Sequence, residues 1–293
     1  MDREMLAIAR HVDRFPAKGC AMADIDSGNA CAAFSESELA EMLAIAVIHE
    51  DASSGLLSLA AKAGESADQV IDWLPDNFED KLQGVVDLAL RQSYAIAFTI
   101  GGRRRRKRGK PGSSREGFYR FATGVAGAVG GAGGIATTLA DLAITTTLIL
   151  RSIQEIAVSY GEDLDDPAVR AQCITVFGTG GPLVDDDSLD TALWAGRIAL
   201  SHQSVSATIR AIVPQFGKAA SEGILSRAAP VVGAIAGAAI NSAFTRYYQR
   251  MAHVSFRLGR LSRNHPRADV MACFSRVVDM ERARRKTRDK KKK

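Results

Sequence analysis

Aromatic side chains make up only 6% of this 293-residue chain, which removes the usual material of a β-sheet core. Strands fill their half-buried faces with aromatic and β-branched residues, whereas abundant alanine and glycine suit helices whose backbones come close together. The expected fold class is therefore all-α, a helical bundle. Cysteine is as sparse: Cys20, Cys31, Cys173 and Cys273 are too few and too scattered for a disulfide framework, and none forms a C-x-x-C pair. Reduced thiols in a cytoplasmic protein are expected. The five histidines build no H-E-x-x-H motif or other close metal spacing, so neither a metal nor a cofactor is expected. The opening MDREMLAIARHVDR carries acids in its first turn, is amphipathic, has no uninterrupted apolar core, and does not read as a secretory signal.

Positive charge is scarce in the first third of the chain. Residues 1–100 hold 7 Lys or Arg against 17 Asp or Glu, while the remainder holds 31 against 16. The cations gather in two runs: Arg103, Arg104, Arg105, Arg106, Lys107, Arg108 and Lys110, and the tail RARRKTRDKKKK, ending in Lys290, Lys291, Lys292 and Lys293. Runs of this kind suit an anionic partner such as a lipid surface or a nucleic acid. A solvated linker and a free tail are the plainer readings. Residues 101–117 carry no aromatic that could stack on a base, which favours lipid over nucleic acid.

Helical spacing recurs along the chain. Residues 2–14, 36–49 and 74–100 show it, the second opened by Ser35 or Ser37 with acids in its first turn. The segment FATGVAGAVGGAGGIATTLADLAITTTLILRSIQEIAVSYG, Phe121 to Gly161, is different. Its glycines each cost about 1 kcal/mol relative to alanine inside a helix, so packing must repay them. Gly127 and Gly131, Gly130 and Gly134, and downstream Gly233 and Gly237, have the G-x-x-x-G spacing that lets a second backbone approach. Two Gly/Ala helices packed face to face are the economical picture. A membrane span is disfavoured because few large apolar residues lie between Phe121 and Ala140 and Asp141 closes the run; a buried or interfacial hairpin fits better. A phosphate loop is disfavoured too, since no Lys-Ser/Thr follows the glycines.

Beyond the glycines, Asp141, Thr145, Leu148, Ser152, Glu155 and Ser159 recur at helical intervals and make one polar stripe. The plain reading is a solvent-facing stripe with an Arg151–Glu155 surface pair. The alternative is a polar seam inside a bundle, in which Asp141 and Glu155 need Asn241 or an arginine as partner. The helix should end at Tyr160-Gly161 with Gly161 as left-handed cap, and the next should start with Asp165 or Asp166 as N-cap and Pro167 in the first turn. Asp185, Asp186 and Asp187 read as a solvated loop, because Ca²⁺-loop spacing is absent.

The ordered blocks ATGVAGAVGGAGGIATTLADLAITTTLILRSIQEIAVSYGEDLDDPAVR and AAPVVGAIAGAAINSAFTRYYQRMAHVSFRLGRLSR resemble the bacterial EcsC protein family over roughly Leu74 to Arg263. The resemblance implies an α-helical protein, associated by name with an ABC-transporter gene cluster and without assigned chemistry. No catalytic residues come with it. The hallmark positions it marks are Gly124, Gly127, Gly131, Gly134, Asp141, Tyr160, Gly161, Asp163, Gly233, Gly237 and Asn241; Glu155 joins them on the polar stripe. Residues 1–70 and the basic tail lie outside the likeness.

Three domains are expected: an acidic helical region at 1–70, an EcsC-like helical domain at 71–265, and a basic flexible tail at 266–293. The expected role is that of a cytoplasmic accessory protein, peripheral at the inner face of the membrane, with an anionic surface or a membrane protein such as a transporter as partner. Nucleic-acid binding through the basic runs is the second reading, and self-association through the Gly-rich helices is a further expectation. A hydrolase or ligand site built from Asp141, Arg151, Glu155 and Asn241 is the third.

Overall fold

Serine 35 starts the first long helix as its sequence demands. Its hydroxyl accepts from the Glu38 amide at 3.4 Å while the Glu38 carboxylate accepts from the Ser35 amide at 2.9 Å, a reciprocal capping box that satisfies two amide donors left over at a helix start. The computed structural model describes residues 29–64, 84, 87–88, 91, 115–132, 135–177 and 233–290. A 3₁₀ turn at Asn29–Cys31 leads into α1 (Glu36–Gly64); α2 (Glu116–Ala132) and α3 (Ile135–Ser159) follow, then α4 (Pro167–Phe177), α5 (Gly233–Leu261) and α6 (Arg267–Lys290). No strand occurs among the described residues, and the all-α expectation holds. The expected helix at 2–14, the basic run Arg103–Lys110, the loop acids Asp185–Asp187 and the final lysines Lys291–Lys293 lie outside them.

Helix α3 ends where Gly161 forces it to. Gly161 adopts φ +82°, a conformation that costs other residues a clash between Cβ and carbonyl. The reversed chain then returns two amides to the last turn, Glu162 N–H to the Ala157 carbonyl at 3.1 Å and Gly161 N–H to Val158 at 3.0 Å, the paired bonds of a Schellman cap. Asp166 then caps α4 through the Ala168 amide at 2.8 Å, with Pro167 as its first residue. Both caps stand where the sequence pattern put them.

Side-chain contacts set the directions of the helices. Pairs between α2 and α5 (Thr123 with Thr245, Glu116 with Gln249 and His253) run in opposite senses, so these two helices are antiparallel. Pairs between α3 and α5 (Thr145 with Asn241, Ser152 with Gln249) advance together, so these are parallel. Helix α5 is the axis. Every residue from Tyr247 to Phe256 except Arg250 is buried, and α1, α2, α3 and α4 all pack on it. The apolar core runs continuously from Met42, Ile45 and Ile48 of α1 through Ile153 and Phe177 to Tyr248, Met251 and Phe274.

Two expectations fail in the C-terminal region. Residues 266–293 were to be a flexible tail, but 267–290 form α6, and Val270, Phe274, Val277 and Val278 bury its inner face in the same core as α1. The cations of the tail conceal an apolar stripe at helical spacing in its first half. Second, Cys31 and Cys273 are not free thiols: they form a disulfide with Cα atoms 4.9 Å apart. Their separation of 242 residues hid a proximity that only the packing of α6 beside α1 creates. Cys173 is free and fully buried, and burial pushes its thiol up to about 12.

The capping box gives a pH prediction. The Ser35 amide, then hydrogen bonds from His265 and the Ser35 hydroxyl, lower the Glu38 carboxyl from 4.5 to about 2. A carboxyl depressed in the folded state stabilises it fully above its unfolded value, and that contribution drains away as pH falls from about 4.5 toward 2. Urea midpoints between pH 5 and 2.5 should therefore fall more steeply for the parent than for Glu38→Gln; parallel profiles would remove Glu38 from the account.

Candidate functional site

The feature that most resembles a built site is a polar seam where α2, α3 and α5 meet. Each helix contributes residues at intervals of three, four or seven, so each presents one face: Glu116, Tyr119 and Thr123 from α2, Thr145, Ser152 and Glu155 from α3, and Asn241, Thr245, Gln249 and His253 from α5. At one end the Asn241 amide donates to the Thr145 hydroxyl at 3.0 Å, and Thr123 and Thr245 share a hydrogen bond at 2.8 Å. In the middle Gln249 donates from one nitrogen to the Ser152 hydroxyl at 2.8 Å and the Glu116 carbonyl at 3.1 Å. Burial of these groups is near complete, with Ser152 at 1%, Thr245 at 0% and Asn241 at 3% exposure.

Two ionisable sets close the other end. Glu155, buried, accepts from the Tyr119 hydroxyl at 2.9 Å and from the Arg115 guanidinium at 2.8 Å. Tyr119 holds its proton firmly, since burial and then the neighbouring Glu155 charge raise its pKa. Beside it, Tyr160 lies 2.9 Å from His253 Nδ1, and His253 Nε2 lies 3.2 Å from Glu116. Burial pushes the Tyr160 hydroxyl up to about 12. The Glu116 carboxylate can only accept, so the hydrogen of that contact sits on His253 Nε2, while Nδ1 and the Tyr160 hydroxyl share the other bond.

This geometry corrects the plain reading of the α3 stripe. Thr145, Ser152 and Glu155 face the interior, and the carboxylate of Glu155, buried, meets Arg115 and Tyr119 across the bundle. The set Asp141, Arg151, Glu155 and Asn241 is not one constellation. Asn241 meets α3 at Thr145, ten residues before Glu155 and so about 15 Å away along the helix, while the Asp141 side chain lies outside the described residues. Asp163 is exposed and closes a turn by accepting from the Asp165 amide at 3.0 Å.

Of the glycines, Gly124 faces α5: a Cβ there would lie 3.6 Å from the Ala238 carbonyl oxygen. Gly127 is buried one turn on. The surroundings of Gly131, Gly134, Gly233 and Gly237 lie outside the description. Residues the pattern search passed over are Arg115, Tyr119, Gln249 and His253. The signal was present as N-x-x-x-T-x-x-x-Q-x-x-x-H from Asn241 to His253, uncharged polar residues and a histidine recurring every four residues along one face.

The sequence matches the family model described as the EcsC protein family over residues 58–261, a span that holds α2 to α5 whole and with them every polar partner of the seam. No curated protein and no solved structure matches the chain.

The seam predicts a cost for losing one donor. Tyr119→Phe leaves the buried Glu155 carboxylate short of a hydrogen bond, so the urea midpoint should report a loss of about 1–3 kcal/mol. A variant as stable as the parent would mean that Glu155 draws nothing from Tyr119.

Proposed function

We propose, from the premise that the chain belongs to the EcsC protein family, that it is a helical accessory protein that docks peripherally on anionic membrane surfaces. The observation that carries this reading is the exposed cationic end of α6. Arg282 and Arg285 are committed to Glu50 and Asp51 of α1 at 3.1 and 2.7 Å, whereas Lys286, Arg288 and Lys290 are exposed. Cations in a last helical turn complement the helix dipole, but Lys286 precedes that turn, and the sequence continues into Lys291–Lys293 with a second basic run at Arg103–Lys110. Clustered Lys and Arg gain about 1 kcal/mol each near an anionic leaflet.

Peripheral attachment agrees with the helices. Among the described residues, none is long and apolar enough to cross a membrane. The inner, cytoplasmic face is the anionic leaflet of this reading. The Cys31–Cys273 bond belongs to oxidising surroundings, so thiol tagging of the protein taken directly from cells decides the compartment: a reduced pair supports the inner face, an oxidised pair removes it. Nucleic-acid binding through the same cations has no separate support in the geometry.

Vesicle flotation tests the reading. The full chain should float with phosphatidylglycerol-containing vesicles at low salt, ignore pure phosphatidylcholine, and detach as salt rises. Replacing Lys286, Arg288 and Lys290 together by glutamate should weaken binding by about two orders of magnitude or more. Equal indifference to both vesicle types would refute the proposal.

A further inference from the structure

The outer face of α2 is apolar where a surface helix is normally polar. Phe118, Phe121 and Val125 are exposed by 57%, 72% and 49%, and their spacing of three and four residues places them in one stripe. The opposite face holds the buried Tyr119 and Thr123, so the helix is pinned and cannot rotate its phenylalanines inward. Helix α3 adds Ile144, 53% exposed. Gln249 joins Glu116 of α2 to Ser152 of α3, and these helices run in opposite senses, so Ile144, about two turns before Ser152, stands about two turns beyond Glu116, within the stripe's span. Contiguous exposed apolar side chains of this size mark a contact surface.

Resting on the anionic-membrane reading above, we infer that this stripe is the part of the protein that enters the lipid, with α2 lying in the plane of the interface. Charge at its edge favours that occupant. Arg115, its side chain 61% exposed, holds its guanidinium 5.8 Å from the centre of the Phe118 ring, and the run Arg103–Lys110 arrives in sequence just ahead of it. Arg115 is itself paired with Glu155, so the remaining cations of this reading come from the sequence run ahead of α2; basic residues next to an aromatic and aliphatic helix face are the pattern of a helix seated at the headgroup boundary. Single-stranded nucleic acid would use the phenylalanines for stacking, but it gains nothing from Val125 and Ile144, which have no π-face. The Arg115–Glu155 and Tyr119–Glu155 bonds anchor this edge to α3, so the face is held ready and needs no rearrangement to engage.

The test reads the environment of position 121 directly. In Phe121→Trp, the emission added over that of Trp73 and Trp194 should be solvent-like in the free protein. It should shift to the blue with phosphatidylglycerol-containing vesicles and be quenched by lipid brominated in the acyl chains. Independently, Phe118→Ser/Phe121→Ser should keep the parent's thermal midpoint and lose about tenfold or more in vesicle affinity. If the parent floats but Trp at 121 stays solvent-like and the double variant binds as the parent does, the stripe does not insert while the docking proposal survives. Should the parent fail to float at all, both fall. A blue-shifted signal before vesicles are added means that protein covers the stripe, either this chain or a second copy, and overturns the inference. So does a response to single-stranded DNA without one to vesicles.

Discussion

The arrangement depends on the close antiparallel approach of α2 and α5. Gly124 lies against the Ala238 carbonyl oxygen, and the preceding residue, Thr123, shares a buried hydrogen bond with Thr245. A larger residue at Gly124 would push the helices apart, and the threonine pair, whose members are both completely buried, would lose its contact. Once α5 is held there, its two other faces are committed: Asn241 and Gln249 meet α3, and Arg257 reaches Glu41 of α1 with two bonds of 2.7 Å. The apolar core closes around what remains of the helix.

A seam of buried polar groups adds little net stability when satisfied, but it is costly when misaligned. Each buried donor or acceptor without a partner costs about 1–3 kcal/mol, and sliding α5 by one turn would separate the threonine, glutamine and histidine contacts together. The seam therefore selects one register from several that the Gly/Ala faces alone would allow, since small residues repeat along both helices and would pack almost as well one turn out of step. It also fixes the rotation of α2 about its own axis. The same rotation that buries Tyr119 and Thr123 turns Phe118, Phe121 and Val125 outward.

Features local in sequence were legible and those that depend on partners were not. The Ser35 capping box, the Gly161 terminus and the Asp166-Pro167 start each lie within a few residues and obey local backbone rules. Small residues at the spacing of Gly127, Gly131, Gly233 and Gly237 suggested two packed Gly-rich helices, and α2 does pack on α5, with Gly124, marked by the family resemblance, at the contact. Periodicity found the polar stripe of α3 but could not tell a wet face from a buried one, because both alternate identically with the apolar residues. Burial came from the matching stripe on α5, nearly a hundred residues later in the chain. Spacing likewise leaves open which way Phe118 and Phe121 face. The same blindness hid α6, whose charge outweighed its apolar spacing, and the Cys31–Cys273 bond, which needs α1 and α6 side by side. The family match over residues 58–261 agrees with the resemblance drawn from the two Gly-rich blocks and begins somewhat earlier in the chain.

A size series at Gly124 tests the close approach most directly. A Cβ at this position would sit 3.6 Å from the Ala238 oxygen, an ordinary contact, so Gly124→Ala should fit and gain up to about 1 kcal/mol in helix propensity. Gly124→Leu has a similar propensity gain but must drive its branches into the α5 backbone, and overpacking of that kind costs about 1–3 kcal/mol. The account predicts a urea midpoint at or above the parent's for alanine and clearly below it for leucine. Midpoints that rise together for both variants would show that no backbone stands opposite Gly124, and would contradict the packing from which the seam and the exposed stripe follow.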